Sequence, residues 1–169
     1  MDPQHIIARL HANTSIFKNQ LILCEKEQYL FKTKPNAWCL LEIVCHLKDE
    51  EVEDFRTRVR HVLTTPDRQF PAFYPERLPE ERQYLQQDFH KVLNQFLEER
   101  AASVFWLESL QNPNWEKAVQ HPTAGPFSAK KLLVNWLAHD YHHIRQINAI
   151  QYDFLKSSSV EALNYAGKW

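Results

Sequence analysis

The stretch SAKKLLVNWLAHDYHHIRQINAIQYDF, residues 128–154, decides the fold. Within it Trp136, Asp140, His143, Ile147, Ile150 and Phe154 follow one another at alternating steps of four and three, the spacing that lines side chains along one stripe of an α-helix. Ser128 stands where an N-cap belongs, and Gly125-Pro126-Phe127 punctuates the chain just before it. The stripe is apolar except at Asp140 and His143. A helix of this length with one apolar side needs partner helices to cover it.

Working outward, three more helical patterns supply them. Asp2 as N-cap, Pro3 at the first helical position and Ile6, Ile7, Leu10, Phe17, Leu21 and Cys24 predict a first helix reaching to about Phe31, where Lys32 to Pro35 breaks it. Trp38, Leu41, Cys45, Val52, Phe55, Val59 and Val62 predict a second helix from about Trp38 to Leu63, its rhythm lapsing at Lys48 or Asp49, beside His46. Thr64 to Pro79 reads as a proline-rich crossover. Glu80 opens a third helix that carries Leu85, Phe89, Val92, Phe96 and Val104 up to roughly Leu110. Helices of about 25 residues span close to 40 Å, the dimension of a four-helix bundle. The expected fold is therefore all-α, a four-helix bundle with one long crossover connection. It forms one domain over residues 1–169, with the bundle at about 3–155 and a tail at about 156–169 that either docks or forms a short fifth helix. Trp169 favours docking.

Composition narrows the function. Of the 169 residues 44% are hydrophobic and 24% charged, ordinary for a globular chain. The two glycines, Gly125 and Gly167, argue against tight hairpins and phosphate-cradling loops. Twenty Lys and Arg against 21 Asp and Glu leave a net charge of -1 with no basic tail, which disfavours a nucleic-acid partner. No signal-peptide core opens the chain and no stretch of about 18 apolar residues runs through it, so a soluble, cytoplasmic protein with no membrane segment is expected. Cys24, Cys39 and Cys45 are odd in number and form no Cys-x-x-Cys pair, so they read as buried thiols.

The chemistry gathers on histidines. His139 and His143 stand four apart, one above the other on a helix, and both lie on or beside the apolar stripe. His46 sits likewise at the seam of the second helix. Spacing alone is unspecific, because nine histidines placed at random would give roughly 0.4 such pairs. Two readings are open from the residues. In one, three imidazoles hold a divalent ion, with remaining positions free for water or substrate, and zinc, nickel and iron all suit nitrogen ligands. In the other, they are core-edge histidines satisfied by backbone or carboxylates.

Two blocks bear on that choice. The first runs Trp38-Cys39-Leu40-Leu41-Glu42-Ile43-Val44-Cys45-His46-Leu47. The second runs Phe127-Ser128-Ala129-Lys130-Lys131-Leu132-Leu133 and continues to His139-Asp140-Tyr141-His142-His143-Ile144-Arg145-Gln146-Ile147. Their order and content resemble the DinB-like superfamily, whose pattern is tryptophan, a small capping residue, glutamate and histidine-leucine, then a closing His-x-x-x-His followed by Gln-Ile. Cys39 departs from it, since the family has serine or threonine there. A thiol caps poorly, which makes Asn36 an alternative cap.

The resemblance implies one divalent metal ion on His46, His139 and His143, a homodimer, and a metal-dependent enzyme. Some relatives transfer low-molecular-weight thiols, so thiol transfer to a small-molecule substrate is the leading expectation. Metal-assisted hydrolysis is one alternative. A noncatalytic, stress-related helical interaction protein is the other.

Several neighbours of these histidines bear on the chemistry. Glu50, four residues after His46, either reaches the metal, orients a ligand imidazole or is simply solvated. Asp140 acts as a proton acceptor or forms a buried ion pair with an arginine. These two are the candidate catalytic residues. His142 points about 100° away from His143, Cys45 falls on the core seam, and Trp38 and Trp136 flank the site or fill the core.

Overall fold

The computed structural model describes residues 2–121, 125–167 and 169. Asp2 caps α1 (Pro3–Leu21), its carboxylate accepting from the Gln4 amide at 3.3 Å. The helix stops at Leu21 rather than near Phe31. Ile22 and Leu23 turn outward, the Cys24 amide closes a turn onto the Leu21 carbonyl at 3.1 Å, and only a single turn, α2 (Lys26–Tyr29), follows. An apolar run can continue past a helix end when the connecting turn buries one of its members, here Cys24.

The second bundle helix is a continuous rod of three parts: α3 (Leu40–Asp49), a π-helical segment (Glu50–Arg56) and α4 (Thr57–Thr64). The lapse of rhythm near Lys48 and Asp49 marks this change. Leu47, Glu51, Phe55 and Val59 are all buried at steps of four. A pure α-helix drifts by about 40° at each such step. The wider π turn absorbs the drift, and Thr57 Oγ1 donates to the Val52 carbonyl five residues back at 2.7 Å. The rod is capped by Cys39 itself, not by Asn36, because the Glu42 carboxylate reaches back to the Cys39 amide at 3.0 Å.

After α4 the proline-rich segment crosses the bundle through one turn, α5 (Leu78–Glu81), and a 3₁₀ turn at Tyr84–Gln86. The third long helix, α6 (Phe89–Ser109), starts later than Glu80 predicted, with Asp88 accepting from the Lys91 amide at 2.7 Å as its cap. A short antiparallel hairpin then precedes the last helix, β1 (Ala118–His121) against β2 (Gly125–Ser128), Val119 opposite Phe127. The scarcity of glycine did not exclude a hairpin: one residue at φ 73°, Gly125, is enough to start its return strand. The final helix, α7 (Ala129–Ser158), is capped by Ser128, which accepts from the Lys131 amide at 3.1 Å. Beyond it lies a 3₁₀ turn, Leu163–Ala166, and Trp169 stacks on Tyr152 at 4.4 Å, while Val160 and Tyr165 are fully exposed.

Packing fixes the topology. α1 packs on α6 and α7, and the Leu40–Thr64 rod also packs on α6 and α7. Pairs such as Arg9 with Tyr141 and Gln20 with Asn148 show α1 and α7 parallel, whereas Phe17 against Phe96 and Leu10 against Arg100 show α1 and α6 antiparallel. The order is up, down, down, up. Two successive helices in the same direction require a chain that returns along the bundle, which the segment before α6 provides. The protein is thus mostly helical with the expected crossover, and the second rod lies beside α7. No helix among the described residues is long and apolar enough to cross a membrane.

Candidate metal centre

That adjacency brings the three histidines together. His46 projects from the last turn of α3, His139 and His143 from successive turns of α7. The Nε2 atoms of His46 and His139 lie 3.2 Å apart, those of His139 and His143 3.1 Å apart, and one nitrogen from each ring falls within 4.8 Å of the others. His46 is 9% exposed and His143 4%. Trp38 sets its ring against His46 at 4.9 Å, and Phe55 covers His139 at 5.0 Å while stacking on Trp136 at 5.6 Å. Trp38 therefore walls the centre directly and Trp136 does so through Phe55.

Burial, above all, lowers the proton affinity of all three rings, His46 to about 4, His143 to about 3 and His139 to about 2, with repulsion from neighbouring histidines adding to it. All three are neutral near pH 7. The Nδ1 of His143 meets Gln146 Oε1 at 2.9 Å, which fixes its proton there and leaves Nε2 as a bare lone pair. A proton on one Nε2 can satisfy only one neighbour, so the cluster always holds a lone pair facing another. A cation at the convergence point removes that conflict, and a set of three neutral imidazole nitrogens suits zinc, nickel or iron. His46 Nδ1 is buried with no hydrogen-bond partner among the described residues. The residues present fit a divalent ion.

Glu50 comes to the same place. It is 8% exposed, its Oε1 lies 3.9 Å from His46 Nδ1 and its Oε2 3.9 Å from His139 Nε2. Burial, helped by Asp54, pushes its carboxyl up to about 7. Asp140 is the buried ion pair of the two alternatives: both its oxygens bind Arg100 at 2.7 Å and Asn13 adds a third bond at 2.9 Å. His142 is exposed, its ring edge-on to His143, and Asp49 turns to the Tyr84 hydroxyl at 2.6 Å and to Arg82 at 2.8 Å. Cys45 is core, and burial raises its thiol to about 12, too high for a nucleophile.

Sequence reasoning offered an arginine partner for Asp140 as one alternative but missed Glu51 and did not single out Arg100. Arg100 also binds Glu51 at 2.9 Å, and Trp136 Nε1 donates to the same Glu51 oxygen at 3.0 Å. Glu51, Arg100 and Asp140 are all buried. The signal was present, since Arg100 follows Phe96 by four on the apolar side of α6 and Glu51 stands midway between Leu47 and Phe55. Gln146 also went unassigned, although it sits three residues after His143.

A sequence model of the DinB superfamily matches residues 10–147. Among solved structures, YfiT from Bacillus subtilis superposes with a TM-score of 0.79 at 18% identity, covering 90% of this chain and 87% of its own. It is described as a probable metal-dependent hydrolase with an unusual four-helix bundle topology. No curated protein matches this sequence.

Proposed function

This chain belongs to the DinB superfamily, and on that premise we propose that it is a metal-dependent enzyme whose His46, His139 and His143 hold one divalent ion. The observation that carries the reading is the convergence of one nitrogen from each ring to within 4.8 Å. When bound there, the ion would lower the pKa of a coordinated thiol or water and leave it nucleophilic near neutral pH.

The chain's own residues do the rest. Gln146 orients His143 through Nδ1, so that its other nitrogen faces the ion. Trp38 and Phe55 shield two of the rings from water, which strengthens electrostatic attraction within the site. Arg100 and Asp140 tie α6 to α7 at the residue next to His139. The leading reaction is transfer of a small thiol to an electrophile. Hydrolysis is the second reading, favoured by the description of YfiT.

Elemental analysis of the purified protein tests the ion, and a screen of small thiols with electrophiles, run beside ester and amide substrates, tests the reaction. About one zinc, nickel or iron per chain is expected, lost in His139→Ala together with turnover. Metal content unchanged after replacing all three histidines would overturn the assignment.

A further inference from the structure

Metal-bound imidazoles need an acceptor on their second nitrogen, because a ring that gives Nε2 to an ion must carry its proton on Nδ1. His143 has Gln146 for this purpose. His46 has no such bond among the described residues: its Nδ1 is buried and unpartnered there, and the carboxylate facing it is Glu50, with Oε1 at 3.9 Å. We propose that Glu50 is the positioning residue for His46, accepting a hydrogen bond from its Nδ1–H when the ion is held. This inference rests on the metal-site reading above.

Three observations converge on it. Glu50 is 8% exposed and makes no hydrogen bond among the described residues, and its two oxygens face imidazole nitrogens of His46 and His139 at 3.9 Å each. Its place is set by the backbone, since Glu50 is the first residue of the π segment and its amide is shared between the carbonyls of His46 and Leu47. The gap also has a cause. Without an ion, His46 can keep its proton on Nε2 and share it with His139 Nε2 at 3.2 Å, which leaves Nδ1 a lone pair that a carboxylate oxygen avoids. An ion displaces that proton to Nδ1 and turns the repulsive contact into a donor–acceptor pair, closable by a side-chain movement of about 1 Å to reach hydrogen-bond distance.

The experiment compares wild type, Glu50→Gln and Glu50→Ala, each loaded with zinc, by chelator competition and by nitrogen-15 NMR of the histidine rings. Glu50→Ala should bind zinc about 10- to 100-fold more weakly, the range for losing such a partner. Glu50→Gln keeps an acceptor oxygen and should recover most of the affinity. In the spectra a slowly exchanging His46 Nδ1–H should appear with zinc in wild type and Glu50→Gln and vanish in Glu50→Ala, while that of His143 persists. A merely structural role would lower thermal stability without moving that signal selectively. Equal affinity in all three proteins, or a His46 proton on Nε2 in the zinc form, overturns the role of Glu50 while the metal site stands. Failure of wild type to bind zinc at all overturns both, and His139→Ala, unchanged in that case, identifies it.

Discussion

Arg100 bridges two buried carboxylates, donating to both oxygens of Asp140 at 2.7 Å and to Glu51 at 2.9 Å. Burial raises the Glu51 carboxyl above its ordinary range against the pull of Arg100, so this charge group is held in place by its geometry. Removing the cation leaves two carboxylates side by side in the core. Arg100→Leu should therefore destabilise the protein by about 3–5 kcal/mol in urea unfolding at pH 7. Arg100→Lys should regain only part of that, because a point charge cannot replace the planar fork that spans Asp140 and Glu51. Stability of Arg100→Leu within about 0.5 kcal/mol of wild type would refute this account.

At the scale of elements, α7 was the most legible part of the chain. Its stripe of fours and threes, its Ser128 cap and its two polar interruptions all state which side faces inward, and the structure buries Trp136, Asp140, His143, Ile147 and Ile150. The histidine cluster of the candidate site was legible for the same reason, since His139, His143 and His46 sit on inward sides whose adjacency follows from the topology. The π segment was not, because steps of four from Leu47 to Val59 look like a faulty α pattern until the backbone that accommodates them is seen. The end of α1 was hidden by Ile22 and Leu23, apolar residues that the structure exposes. The π segment has a direct test. Inserting one alanine after Val52 adds a residue beyond what the wide turn takes up and should rotate Phe55, Val59 and Val62 by about 100° relative to His46. The variant should lose bound metal and unfold at lower temperature, as read by elemental analysis and circular dichroism. Wild-type metal content and melting in this insertion would show that the register of the rod does not set the histidine cluster.

At the scale of the whole molecule, the histidine cluster makes folding depend on pH. In the chelator-treated protein the folded rings resist protonation until about pH 4 or below, whereas the same rings in the unfolded chain protonate near 6.5. Below pH 6.5 the unfolded state therefore binds up to three more protons, and stability falls as pH falls. Glu50 works the other way. Its folded carboxyl, pushed up to about 7 from an ordinary 4.5, holds a proton that the unfolded chain has released, so between those values it stabilises the fold on acidification. Glu51 and Asp54, also raised by burial, act in the same sense, so the carboxyls offset part of a loss to which each ring adds up to about 1.4 kcal/mol per pH unit below about pH 6. His139→Ala should remove one proton from this difference and flatten the profile. A divalent ion that binds only neutral imidazoles raises stability by about 2.7 kcal/mol at 100 times its dissociation constant, and acid should reverse that gain as it protonates the ligands. Urea titrations at pH 7.5 and 5.5, with zinc and with chelator, measure all of these effects together. A chelated His139→Ala with the same pH dependence as chelated wild type would mean that this ring is not held neutral by burial, and the case for a preformed ion site would fail with it.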